Sequence, residues 1–128
     1  MAIKFKLIEK GEPGIVGGGQ KKQYASAILD EEFTIDEMVR EIEKFSTLTE
    51  VEVRGVIIAL EHVMKRAIQD GKIIRLDMLG SFYPVISSNG VPMGKRFTTD
   101  DIRSVKLYYR PGKRISSLLT QVAYKKVE

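Results

Sequence analysis

The chain has 128 residues, 43% apolar and 30% charged, which is enough for one domain with a core and too few for two ordinary ones. It has no cysteine and one histidine, His62, so a disulfide framework and a thiolate metal site are excluded and metal chemistry would rest on carboxylates. The net charge of +4 is unevenly placed: residues 1–24 carry net +3, residues 25–70 net −6 and residues 71–128 net +7.

Taken in chain order, Ile3, Phe5 and Leu7 alternate with Lys4 and Lys6, the pattern of a strand. No signal-peptide h-region and no apolar run of about 18 residues is visible, so a soluble, cytoplasmic protein is expected. Residues 11–22 form a glycine-rich loop. A phosphate-binding loop would need Gly-Lys-Ser/Thr at its end, where the lysine grips phosphate and the hydroxyl holds magnesium. Here Gly19 is followed by Gln20, Lys21 and Lys22, so the loop reads as a hairpin connection to a returning strand over Tyr24–Leu29.

Thr34 with Glu37, and Thr49 with Glu52, read as two capping boxes, each opening a helix. Ile35, Met38, Val39 and Ile42 make the stripe of the first. Val53, Val56, Ile57, Leu60, Val63 and Met64 make the wide stripe of the second, which runs for about 20 residues, or roughly 30 Å. So short a link between capped helices predicts a helical hairpin. The wide stripe has two readings: it fills the monomer core, or part of it meets a twofold copy.

Gly71 ends that helix in a left-handed cap. Ile74, Leu76 and Met78 alternate with Arg75 and Asp77 as a strand, Gly80-Ser81 breaks the run, and Phe82 opens the next strand. Asn89-Gly90 signals a hairpin, with Lys95, Arg96 and Phe97 beginning its return. Residues 98–102 read as irregular or one helical turn. Val105, Leu107 and Tyr109 alternate with Lys106, Tyr108 and Arg110 as a strand, Pro111-Gly112 turns it, and a short helix follows over Lys113–Gln121. Val122–Val127 alternates again as a last edge strand.

No catalytic constellation is present. His62 lies on the long helix, and Glu37, Glu41, Glu50, Glu52 and Glu61 form solvated faces, so an enzyme is not expected. The cations Lys95, Arg96, Arg103, Lys106, Arg110, Lys113 and Arg114 gather in the basic half. Lys113 and Arg114 open a helix whose free amides would favour an anion, phosphate being the natural one. A solvent-facing Pro-Gly turn is the other reading of the same residues.

In this order, a capped helical hairpin, Gly71-Lys72-Ile73-Ile74-Arg75-Leu76, the corner Leu79-Gly80-Ser81-Phe82, an arm, and Arg110-Pro111-Gly112-Lys113 with a closing helix, the chain resembles the HU/IHF family of bacterial histone-like DNA-binding proteins over about residues 33–121. The resemblance implies an α+β fold. Its base is a helical hairpin and its saddle an antiparallel β-sheet carrying a shortened β-ribbon arm, with a closing C-terminal helix (30–128) and residues 1–29 added as an N-terminal β-hairpin packed on the same domain.

It also implies a homodimer, with Val53, Val56, Ile57, Leu60 and Phe82 at the interface, and a nucleoid-associated architectural protein that binds double-stranded DNA without sequence specificity through phosphate and minor-groove contacts. The DNA-binding set so implied is Arg75, Gly80, Ser81, Lys95, Arg96, Arg103, Lys106, Arg110, Lys113 and Arg114, with Pro92 at the arm tip. No cofactor, metal, membrane or small-molecule substrate is implied. Two departures stand out: Met78 and Leu79 replace the family's glycine and phenylalanine at the corner, and the Arg-Asn-Pro arm tip is missing. The alternative is an HU-like scaffold serving as a protein–protein interaction module with little DNA bending.

Overall fold

The computed structural model describes residues 1–127. In chain order the elements are β1 (Ile3–Lys10), β2 (Lys22–Ala27), α1 (Ile35–Phe45), α2 (Glu50–Gln69), β3 (Ile74–Arg75), β4 (Gly80–Ser88), β5 (Ile102–Pro111), α3 (Lys113–Leu119) and β6 (Tyr124–Lys126). They form two three-stranded sheets, β2-β1-β6 and β3-β4-β5, joined through the helical hairpin. The expected N-terminal hairpin is thus completed by a strand from the other end of the chain, since β6 pairs parallel with β1.

Both helix starts are set by threonine. Thr49 closes a full capping box: its hydroxyl accepts from the Glu52 amide at 3.3 Å, and the Glu52 carboxylate accepts from the Thr49 amide at 3.3 Å. The box expected at Thr34 is half made. The Thr34 hydroxyl accepts from the Glu37 amide at 3.4 Å, while the Glu37 carboxylate meets the Thr34 hydroxyl in place of its amide. α2 ends as expected at Gly71 (φ +71°), where the Lys72 amide reaches the Ala67 carbonyl at 3.0 Å and the Gly71 amide reaches Ile68 at 2.9 Å.

α1 packs on α2, and Arg54 of α2 clamps them by pairing with Asp36 of α1 as well as with Glu50 one turn back. The hydrogen bond from Arg54, with its charge, holds the Asp36 carboxyl below the usual carboxylate range. Val39 and Val53 are the buried apolar residues of the structure, and both belong to this hairpin.

The alternation at Ile74–Met78 does not make a full strand. β3 stops at Arg75, and Asp77–Leu79 form a 3-10 turn. The turn arises because Asp77 takes a left-handed φ of +48°, while the Leu79 amide folds back onto the Leu76 carbonyl at 3.0 Å. Likewise Asn89-Gly90 does not make a two-residue hairpin. Residues 89–101 form a longer connection, with a turn closed by the Lys95 amide on the Pro92 carbonyl (3.1 Å) and a 3-10 turn over Thr99–Asp101. A bond from the Asn89 amide to the Asp101 carbonyl at 2.8 Å closes the loop neck.

The isolated chain exposes 11241 Å², whereas a compact protein of 14.5 kDa exposes about 6,900 Å². Much of the excess is apolar. Val56, Ile58 and Val63 of α2 are 60–66% exposed, as are Ile86 and Val105 of the second sheet at 61% and 58%. This chain alone has a small hairpin core and several uncovered apolar faces.

Candidate nucleic-acid interface

The antiparallel register of β3, β4 and β5 decides which side chains share a face. Arg75 lies opposite Ser81, and Ser81 opposite Arg110. Tyr83 faces Tyr108, Val85 faces Lys106 and Ser87 faces Ser104. With period 2, these positions make one face of the sheet. The alternate positions, Ile74, Phe82, Pro84, Ile86, Val105, Leu107 and Tyr109, make the other. One side is therefore basic and polar, the other apolar.

Ladder irregularity between Ser87 and Ser88 adds a residue on β5. This bulge turns Arg103 so that its guanidinium donates to the Ser87 hydroxyl at 2.9 Å, placing it with Lys106 and Arg110. Five of the residues anticipated from the sequence, Arg75, Ser81, Arg103, Lys106 and Arg110, are thereby gathered on one sheet. A cavity of about 300 Å³ lies at the end where Arg75, Ser81, Tyr83 and Arg110 meet, and one of about 410 Å³ lies where Ser87, Arg103, Lys106 and Tyr108 meet.

Tyr83 and Tyr108 were not anticipated as part of this surface. Their rings are 6.0 Å apart, and the Arg110 guanidinium lies 5.8 Å from the Tyr83 ring centre, which stiffens it. The signal was available, because Tyr108 shares its phase with Lys106 and Arg110.

Among the described residues, none of Arg75, Lys95, Arg96, Arg103, Lys106, Arg110, Lys113 and Arg114 takes part in an ion pair. The cations that do pair outside the N-terminal hairpin lie on the helices or in the turn after them: Lys44, Arg54, Lys65 and Lys72. The basic face therefore carries its charge without internal neutralisation, and its potential is available to an external polyanion.

Other anticipated residues sit differently. Gly80 is buried. Its amide already donates to the Asp77 carbonyl and is not free for a phosphate, while its carbonyl accepts from the Leu76 amide at 2.8 Å. Lys95, Arg96 and Pro92 are exposed in the loop 89–101, outside the sheet, with Pro92 opening the tight turn. Lys113 and Arg114 open α3, which follows Arg110 after Pro111 and Gly112. α3 has only seven residues, too few aligned peptides for much of a macrodipole, so any anion attraction there comes from the two side-chain charges.

Of the anticipated interface residues, Val56, Ile57 and Leu60 are exposed or half-exposed along α2. Val53 is 4% exposed and already consumed within the hairpin, so it has little left to offer a partner. Phe82 is half-buried against Tyr109, with ring centres 5.1 Å apart. Val51 and Ile58, missed in the sequence, are 80% and 66% exposed on a second side of α2. Among the described residues no group of His, Cys, Asp and Glu is arranged to hold a metal ion, and no helix is long and apolar enough to cross a membrane.

The family described as an HU domain fused to a wHTH, Ig or glycine-rich motif (HU-HIG) matches residues 1–126. The chain belongs to this family. Its membership takes in the N-terminal sheet, which the resemblance at residues 33–121 had left as an addition. The HU-HIG chain also resembles in fold a crystal structure from Bacteroides vulgatus, described as a candidate bacterial DNA-binding protein, with a TM-score of 0.65 at 11% sequence identity. The alignment covers 98% of this chain and 48% of that one, so the HU-HIG chain spans about half the length of that protein. No curated protein matches the sequence.

Proposed function

We propose that this HU-HIG chain is a nucleoid-type architectural protein that binds duplex DNA as a homodimer, mainly through phosphate and without reading base sequence. The observation that carries this reading is the basic face of the second sheet: Arg75, Arg103, Lys106 and Arg110 gathered on one side with no carboxylate partner among the described residues. Lys113 and Arg114 extend it past the strand end. Arginine and lysine on a rigid sheet suit contact with the sugar-phosphate backbone, which positions a protein without specifying sequence.

Dimerisation is supported by the excess exposed area and by the apolar reverse of the same sheet. In a twofold assembly the apolar sheet faces and α2 stripes bury against one another, leaving the basic faces outward as the saddle. The loop 89–101 is the arm. It carries Lys95 and Arg96 and turns at Pro92, and it would follow the minor groove with limited bending.

The test is the affinity for labelled duplexes of unrelated sequence across a salt series. If all six cations of one protomer contact phosphate, log affinity falls with log salt with a slope of about −5 per protomer, at roughly 0.9 per contact. Similar affinity for every duplex is expected. A flat salt response, or a stable complex with another protein and none with DNA at low salt, would leave the protein-interaction reading in its place.

A further inference from the structure

We infer that the N-terminal sheet carries a second DNA-phosphate-binding surface, separate from the saddle. In β1 the residues Lys4, Lys6, Ile8 and Lys10 share one phase. The register sets Lys4 beside Lys125, Lys6 opposite Ser26, Ile8 opposite Tyr24 and Lys10 opposite Lys22. Period-2 alternation therefore gathers Lys4, Lys6, Lys10, Lys22 and Lys125 around Tyr24 on one face. Lys10 lies 5.1 Å from the Tyr24 ring centre. Lys22 alone is paired, to Glu12 at 2.9 Å; Lys4, Lys6, Lys10 and Lys125 join no ion pair among the described residues.

The middle of the reverse face is apolar, with a cavity of about 380 Å³ lined by Ile3, Phe5, Ala25, Ala27 and Tyr124, while Lys126 and the Glu9–Gln23 pair lie on the same face. The N-terminal sheet thus resembles the second sheet in gathering most of its lysines on one face and an apolar patch on the other. Covering the apolar side leaves the lysines outward.

Two features select a polyanion as the occupant of the lysine face. Adjacent strands place the unpaired Lys4 beside the unpaired Lys125, an arrangement that repels until an anion lies across it, while Lys22, opposite Lys10, already has Glu12 as its partner. The row from Lys4 to Lys10 also spans roughly 20 Å of strand, against a duplex that presents a charge about every 1.7 Å of axis. Duplex DNA is favoured over an anionic membrane because the aliphatic side chains on this face are few and recessed. Ile28 and Val127, which continue the register opposite Lys4 and Lys6, are half-buried and leave Ile8 between the lysines, whereas surface-bound membrane elements insert several exposed ones. The inference rests on DNA being this chain's polyanion, and it is independent of whether the saddle binds it.

The experiment compares three full-length proteins on one labelled mixed-sequence duplex: wild type, a lysine-face triple (Lys4→Gln, Lys6→Gln, Lys125→Gln) and a saddle triple (Arg103→Gln, Lys106→Gln, Arg110→Gln). Circular dichroism confirms the fold. The lysine-face triple is expected to keep binding while its log–log salt slope shrinks by about 2.7, three contacts at roughly 0.9 each. The saddle triple is expected to retain residual binding that disappears when both triples are combined. If the lysine-face triple unfolds, Lys6→Gln alone, opposite Ser26, is expected to reduce the slope by about 0.9. A wild-type slope and affinity in the lysine-face variant overturns the inference, whatever the saddle triple does. Loss of phosphatidylserine vesicle binding with DNA binding intact also overturns it and assigns the face to membranes. Undiminished DNA binding by the saddle triple would instead count against the saddle reading and leave this one standing.

Discussion

Gly80 and Arg110 are in backbone contact: a Cβ placed on Gly80 would overlap the Arg110 carbonyl oxygen and lie 2.8 Å from the Gly112 amide nitrogen. Gly80 has φ +120°, a conformation side chains rarely adopt. Gly112 is equally enclosed, since a Cβ there would overlap the Met78 carbonyl. The two glycines let the 3-10 corner lock onto the end of β5, where the Tyr109 hydroxyl donates to the Leu79 carbonyl at 2.5 Å. The corner is a joint of the fold, holding Ser81 and Arg110 opposite each other on the basic face.

Gly80→Ala is accordingly expected to destabilise the protein by about 2–5 kcal/mol, combining backbone strain with overpacking. Urea denaturation measures it. DNA binding should fail together with folding in this variant, because Gly80 offers no free amide of its own. A folded Gly80→Ala protein with weakened DNA binding would restore a direct phosphate role.

Arg54 supplies a second test. Its guanidinium bonds the Asp36 carboxylate across the helical hairpin, and this lowers the Asp36 pKa in the folded state. A carboxyl depressed on folding adds stability above its unfolded value, near 3.9, and loses that contribution as pH falls through the lower folded value. Wild-type protein is therefore expected to lose stability below about pH 4 more steeply than Arg54→Gln, and the difference should shrink in high salt because the pair is exposed. Thermal melts from pH 5 to about pH 2 read it out. Identical acid profiles would mean that solvent already screens the pair.

Legibility in the sequence followed the range of the interaction. Thr49 with Glu52 and the Gly71 cap are decided within one helical turn, and both were readable. The β5 alternation at Val105–Tyr109 was readable for the same reason. Ile74, Leu76 and Met78 read as a strand, yet Asp77 is left-handed and the Leu79 and Gly80 amides fold back onto Leu76 and Asp77. Asn89-Gly90 carries the local signal of a tight hairpin, yet the Asn89–Asp101 bond closes a longer loop. The basic residues were visible singly. That Arg103 joins them depends on a bulge opposite Ser87, and that β6 completes the N-terminal sheet depends on pairing with β1 across the length of the chain. Neither leaves a local trace.

The bulge makes its own prediction. Ser87 holds the Arg103 guanidinium at 2.9 Å without neutralising it. Ser87→Ala keeps the charge and removes the tether, whereas Arg103→Ala removes both. The salt slope of DNA binding is expected to fall by about 0.9 in Arg103→Ala and to stay unchanged in Ser87→Ala. The loss of pre-organisation in Ser87→Ala should appear as an affinity reduced by a few fold, corresponding to roughly 0.5–1 kcal/mol for one side chain that must now be ordered on binding. An equal slope change in both variants would show that untethered Arg103 leaves the phosphate altogether.

In the proposed homodimer the apolar back of the same sheet would carry the assembly. Leu107 is opposite Pro84, and Val105 opposite Ile86, and Ile86, Val105 and Leu107 are 46–61% exposed in the single chain. A twofold copy would cover them without touching the basic side. Burying one leucine contributes about 1.5–3 kcal/mol, and twofold symmetry counts each substitution twice. Leu107→Glu removes that contribution and adds two carboxylates to be desolvated, so dimer dissociation is expected to strengthen by at least about a thousandfold, or roughly 4 kcal/mol. At tens of micromolar, sedimentation should give a dimer for wild type and a 14.5 kDa monomer for the variant, with a melting temperature that depends on concentration only in wild type. A wild-type chain that sediments as a monomer with a concentration-independent melt would refute this arrangement, and the uncovered apolar faces would then require a different partner.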